Sequence, residues 1–142
     1  MSDGIEVFFQ DIRSAFRTAL MGIAGLPSEI EWEGRPFTPP ATGPFMRENL
    51  VPVGTLTRGG GPNGLLQHRV MLAVNLFYPS GSGTLDAEAA AGKLLRAFRP
   101  GTSIQHGSAS ATVQEVARQR LLQETDYLNC PVTITAIGYT VT

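Results

Sequence analysis

The chain has 142 residues and a mass of 15.2 kDa, the size of a single domain, and its 42% of hydrophobic residues suffices for an ordinary core. A formal net charge of −1 excludes the strongly basic surface with which proteins bind nucleic acids or acidic membranes. The single cysteine excludes an intramolecular disulfide, and the longest apolar run, residues 70–74, is too short to cross a bilayer.

The charged residues are few and unusual in kind. They make up 16% of the chain, against about 25% in typical soluble domains. Ten of the eleven basic residues are arginines, and Lys93 is the only lysine. Protein interfaces are enriched in Arg and depleted in Lys and Glu, so this composition indicates a chain that buries much of its surface in an assembly. A GC-rich genome would produce the same bias, and composition alone leaves both explanations open.

The first third of the chain predicts a helix, a strand and a loop. Apolar residues spaced three and four apart predict an amphipathic helix over residues 3–22. Alternation over residues 29–33 predicts a short strand with its glutamates facing outward. Four prolines in residues 34–44 exclude both helix and central strand, so this stretch is expected to be a long loop.

A hairpin is predicted next. Residues 45–57 form its first strand, and Pro52 indicates an edge or bulged position. The glycine-rich residues 58–64 form the tip, and residues 65–78 form the longest strand. Alternation in that strand places Val70, Leu72 and Val74 on one face, together with His68.

The remaining chain predicts one helix and further strands. A helix over residues 85–99 has acidic residues in its first turn, basic residues in its last turns, and Thr84 as its N-cap. Strands are expected near residues 111–118 and 131–141, with shorter extended structure at 103–106. The fold class is therefore α+β, a mostly antiparallel sheet with two α-helices packed on one face and long protruding loops.

Few residues suggest chemistry. Cys130 could act as a nucleophile only beside an activating base, and His68 and His106 are too scattered to define one, so we interpret Cys130 as a small buried hydrophobe. Neither histidine has a second ligand at metal-like spacing. The row Glu29, Glu31 and Glu33 favours a solvated face or a charged edge, with an Arg-bearing neighbour as the functional alternative.

The two loops give the best local indication of function. Trp32, Phe37 and Phe45 flank or lie within the proline-rich loop, where they either anchor it or dock on a neighbouring molecule. Loops longer than ten residues are uncommon in compact domains and are usually functional or disordered. Loops 33–45 and 58–64 are expected to be mobile in a free subunit and ordered on docking.

The order of segments along the chain resembles a known family. The N-terminal amphipathic helix is followed by the sequence WEGRPFTPP at residues 32–40 and by FMRENLVP at residues 45–52. The segment VNLFYP at residues 74–79, an alanine-rich helix and the closing strand that begins CPVTI at residue 130 complete the pattern. Over nearly its whole length the chain resembles the tail terminator proteins of long-tailed bacteriophages.

The resemblance implies a single domain over residues 1–142 that assembles into a six-membered ring. Such a ring caps the head-proximal end of the tail tube, ends tube polymerisation, and presents a surface to the head-side connector. It implies a virion protein of the tail–neck junction, made in the host cytoplasm, with neither enzymatic activity nor cofactor. It also implies neither recognition of nucleic-acid sequence nor contact with membrane. A stopper, a tail completion protein and, more remotely, a small enzyme using Cys130 remain alternatives.

Seven residues are candidates for contacts between subunits or with the tube. Most lie on or beside the two long loops, and the glutamates belong to the acidic row. Each could instead have an ordinary solvated or core role, since few surface residues dominate an interface. The candidates are Glu29, Glu31, Arg35, Phe37, Arg47, Arg58 and Arg69.

Overall fold

The structure, a computed structural model, describes residues 3–59, 64–81 and 83–141. Two helices and seven strands follow one another in these residues. They are α1 (Asp3–Met21), β1 (Ile30–Trp32), β2 (Phe45–Thr57), β3 (Leu65–Pro79), α2 (Leu85–Ala97), β4 (Ser103–His106), β5 (Ala109–Arg118), β6 (Leu122–Gln123) and β7 (Tyr127–Val141). The α+β class is confirmed.

The strands form one sheet in the order β1-β2-β3-β7-β5-β4, and β6 pairs with β7 beside this path. The long strands β3 and β7 pair antiparallel from Leu65 opposite Val141 to Pro79 opposite Tyr127. The other described pairings are antiparallel as well, except that β1 runs parallel to β2. Helix α2 connects β3, in the centre of the sheet, with β4 at its edge.

Alternation along β3 and β7 builds the core. Every second side chain of these strands is buried, and these side chains share one hydrophobic cluster with the apolar stripe of α1 and the alanine-rich side of α2. The rings of Phe16 in α1 and Phe98 at the end of α2 lie 5.9 Å apart and join the two helices. The cluster includes Phe8, Ile12, Phe16, Leu20, Val70, Leu72, Val74, Ala87, Ala90, Ala91, Leu94, Val132, Ile134 and Ala136.

Several predicted boundaries needed correction. Strand β7 begins at Tyr127 and β5 at Ala109, so both are longer than alternation indicated, and the two-residue β6 was missed. Thr84 occupies the N-cap of α2, but its hydroxyl makes no capping hydrogen bond because its backbone is helical rather than extended. The bulge expected at Pro52 is confirmed, since the pairing of β2 with β3 shifts between Pro52 and Gly54.

Candidate assembly interface

The proline-rich loop is anchored to the sheet by aromatic contacts. Phe37 is half-buried with its ring 5.5 Å from that of Phe45, which stacks on Phe77 at 4.5 Å. The Tyr127 hydroxyl donates a hydrogen bond to the carbonyl of Pro40 at 3.0 Å, and its ring meets that of Phe45 edge-on. Contacts within the subunit therefore join Phe37 and Pro40 of the loop to the sheet, while Thr38 and Pro39 between them are exposed.

Two arginines of α1 fix the start of this loop. Arg17 lies 2.9 Å from the carboxylate of Glu48, which is fully buried, and it also donates to the carbonyl of Glu33. Arg13 contacts the Glu33 carboxylate at 2.6 Å. The hydrogen bond from Arg13 is the largest cause that lowers the pKa of Glu33, and the hydrogen bond from the backbone N–H of Leu50 lowers this pKa further. One ion pair, from Arg13, and one hydrogen bond, from Arg17, thus tie Glu33, the residue that follows β1, to α1.

These contacts correct the expectation of one solvated row of glutamates. Glu29 is exposed, as expected. Glu31 accepts a hydrogen bond from Arg47 at 3.1 Å, while Glu33 turns to Arg13. The row divides because β1 ends at Trp32, so that Glu33 no longer follows the alternation of the strand.

Five of the seven candidate residues belong to β1, to the segments that flank it and to the start of β2, and two of them, Glu31 and Arg47, are in contact. Arg47 bridges Glu31 and the ring of Phe77, whose centroid is 4.9 Å from the guanidinium carbon. Arg35 is exposed in the turn that follows β1. We call this surface the β1 corner. Its members are Glu29, Glu31, Arg35, Phe37 and Arg47.

The other two candidates lie far along the hairpin. Arg58 donates to the side-chain oxygen of Gln67 at 2.8 Å, and Arg69 is exposed in the middle of β3. The ten residue steps from Arg47 to Thr57 span about 34 Å as a strand, and the seven steps from Arg47 to Gly54, which pairs with Arg69, span about 24 Å. These arginines therefore do not belong to the β1 corner. Residues 60–63 of the predicted hairpin tip lie outside the described residues.

The edge of β2 is closed at one end and open at the other. The N–H of Met46 donates to Glu29 and that of Leu50 to the Glu33 carboxylate. Pro52 has no N–H to offer. Beyond it, residues 54–57 pair with β3 on one side, but no described strand pairs with residues 53–57 on the other side, and Val53 and Leu56 are more than half exposed. Natural sheets usually protect such an edge, so an open apolar edge indicates a docking surface. The sequence indicated an edge or bulged position at Pro52, but it did not indicate that the residues beyond Pro52 form a docking surface.

Of the residues considered for catalysis, Cys130 and His68 are packed into the core, whereas His106 is exposed. Cys130 is fully buried between apolar neighbours of β7. The two ring nitrogens of His68 hydrogen-bond the hydroxyls of Thr55 and Thr140 at 2.9 and 2.8 Å, and its ring stacks on Phe8. Burial lowers the pKa of His68. Within the described ranges, no group of three His, Cys, Asp or Glu side chains could hold a metal ion, and neither helix is long and apolar enough to span a membrane.

Solved structures of other proteins have a similar fold. One solved structure, of a protein without a functional name, has a TM-score of 0.63 and 26% sequence identity, and the match covers 100% of this chain and 96% of that one. The virion of a native gene transfer agent particle contains a chain with a TM-score of 0.62 and 13% identity, matched over 94% of this chain and 98% of its own length. At that identity the likeness establishes a shared fold. No curated protein sequence matches.

A family comparison identifies the chain more closely. The model of the phage tail terminator protein family matches residues 11–135, from the third turn of α1 to the middle of β7. This match spans both helices, the proline-rich loop and the hairpin. Proteins of this family are structural components of phage tails. The chain belongs to the phage tail terminator protein family.

Proposed function

We propose that six copies of the chain form a ring that caps the head-proximal end of the tail tube, stops its polymerisation and presents the surface on which the head-side connector joins. The observation that carries this proposal is the family match over residues 11–135. In this role the chain acts by shape and contact, without catalysis or a cofactor.

The surfaces of the subunit support assembly. A closed ring needs heterologous contacts, in which one patch of a subunit meets a different patch of the next. The subunit offers two candidate patches far apart on one sheet, the β1 corner and the open edge of β2. Both helices share the core cluster with Val70 and Leu72, so the other side of the sheet around the exposed Arg69, beyond the proline-rich loop, can receive the tube or the connector.

The role proposed for the β1 corner is contact with a neighbouring subunit or the tube. Arg35 and Glu29 are exposed, and neither side chain makes an ion pair with any described residue. Glu31 and Arg47 already pair with each other, so they present a fixed charge pair. We assign Arg58 and Arg69, on the hairpin, to a second contact of the same kind.

The proposal is tested by growing tail tubes from purified tube protein in the presence of the chain. Negative-stain images should show a ring at one end of each tube, and tube length should stop increasing. Arg35→Glu should weaken capping, because it reverses an exposed charge of the β1 corner. Arg120→Glu is the matched control, since it makes the same change at another exposed arginine that lacks an ion pair in the described structure.

Two outcomes contradict the proposal. Tubes that lengthen at the same rate with and without the chain would remove the capping function. A chain that ignores tubes but binds the connector would instead indicate another neck component, such as a stopper or completion protein.

A further inference from the structure

A shallow depression that is open to solvent, which we call the basic cavity, lies where both helices end. It has a volume of about 450 Å³, and Lys93, Arg96 and Arg99 line it beside the apolar side chains of Ile23 and Ala97. In the described part of the chain none of the three cations has an ion-pair partner. Three unpaired cations around one concave surface favour an anionic ligand or partner.

Lys93, one of the lining residues, packs against a glycine. Gly25 has φ +88°, a conformation that favours glycine, and a Cβ at this position would collide with the amine of Lys93. The lysine therefore lies directly against the backbone of the segment that follows α1. Its amine lies beside this segment, although the side chain is exposed.

The opposite end of α2 has the reverse charge. Asp86 lies in its first turn. Burial of the Tyr78 ring raises the pKa of Tyr78, and the negative charge of Asp86 raises it further. The turn that precedes α2 binds a second acidic segment, since Ser80 donates hydrogen bonds to the backbone carbonyls of Glu124 and Asp126. Leu85 is 78% exposed here, more than any other large hydrophobic side chain in the described residues. We call Leu85, Asp86, Glu124 and Asp126 the acidic end of α2.

We propose that the acidic end of α2 in one subunit docks into the basic cavity of the next subunit, with Leu85 against the apolar wall and the carboxylates beside Lys93, Arg96 and Arg99. The occupant is a second copy of this chain, because the same chain presents both complementary surfaces. Opposite charges brought together in this way fix the orientation and register of the two copies.

The geometry of α2 suits a ring. Thirteen helical residues separate the two surfaces by about 20 Å, so each subunit can accept one neighbour and dock on another. The inference rests on the proposed function, because a ring needs such a head-to-tail contact. It adds a specific contact in the helix layer, separate from the sheet surfaces described above.

Charge reversal of one surface at a time tests the contact. One variant combines Arg96→Glu with Arg99→Glu and so makes the cavity acidic. A second combines Asp86→Lys with Glu124→Lys and so makes the acidic end basic. All four side chains are exposed, and circular dichroism and thermal melting check that the variants fold. Glu115→Lys, at an exposed position of β5, is the control for the change in charge.

Analytical ultracentrifugation and negative stain give the result. Each reversed variant alone should associate at least about tenfold more weakly than the parent chain, because like charges meet at every contact. An equimolar mixture should restore rings in which the two variants alternate, and the Glu115→Lys control should form rings like the parent.

Failure of the inference differs from failure of the proposed function. If both reversed variants form rings as the parent does, or if the mixture does not recover, the contact is refuted while the ring stands. A restored assembly that stops at two copies also refutes it. A parent chain that forms no ring, with or without tail tubes, refutes the proposed function and the inference together.

Discussion

Removal of Arg17 tests whether the buried carboxylate of Glu48 is held by that one cation. Glu48 has no exposed side-chain surface, and its Oε1 receives hydrogen bonds from Arg17 and from the backbone N–H of Glu33. Its Oε2 has no partner among the described residues. The substitution Arg17→Met keeps the apolar stem but leaves this carboxylate buried without a counter-charge.

The expected cost follows from the burial of the pair. Removing one partner of a buried ion pair typically lowers the free energy of unfolding by about 3–5 kcal/mol. The Arg17 side chain is 24% exposed, so we expect Arg17→Met to cost about 3 kcal/mol of unfolding free energy, the lower end of this range. In a domain of this size that loss lowers the thermal midpoint by roughly 10 °C.

The neighbouring pair provides a matched control. Arg13→Met is the same substitution one turn earlier in α1, but the side chains of Arg13 and Glu33 are 31% and 36% exposed. Exposed pairs contribute about 0–1 kcal/mol, so this variant should lose at most that amount. Urea denaturation of both variants measures the difference.

The double variant Arg17→Met with Glu48→Gln gives the decisive comparison. The neutral amide keeps an acceptor for the N–H of Glu33 and removes the uncompensated charge, so the double variant should be more stable than Arg17→Met alone. If the two single effects add, or if Arg17→Met costs no more than Arg13→Met, the pair is not coupled as the structure indicates.

Further predictions concern pH and two glycines. His68 has a pKa below its ordinary value of 6.5 because it is buried, so its contribution to stability is complete above pH 6.5 and is lost as the pH falls towards the lower folded pKa. Urea denaturation at pH 7.5 and pH 5 should show this loss of stability in the parent chain and in His106→Gln, a control at an exposed histidine. His68→Gln should not show the loss. An equal loss in all three proteins would contradict the role of His68. Gly138→Ala should destabilise by about 1–3 kcal/mol, since a Cβ there would lie 2.6 Å from a backbone oxygen of β5 and 2.7 Å from the ring of Phe8. Gly92→Ala, in α2 with open space around it, should instead stabilise by about 0.5–1 kcal/mol; thermal melts that shift in the same direction for both would refute the packing described.

Local patterns of the sequence determined most of the elements. The three-and-four spacing of α1 and the alternation of β3 each record which side of the element is buried, and the structure confirms both faces. Pro52 likewise predicted its bulge because a missing N–H acts at the residue itself. The order of segments was sufficient to indicate the phage tail terminator family, which the family match confirms.

The tertiary structure decided which distant residues meet. Arg17 and Glu48 are 31 positions apart, and no periodicity shows that the charge of Glu48 is buried or which cation neutralises it. The division of the glutamate row depends on where β1 stops pairing with β2, and the basic cavity depends on two helix ends that are remote in sequence. A sequence pattern specifies the face on which a side chain lies, but only packing of the whole chain specifies what lies opposite that face.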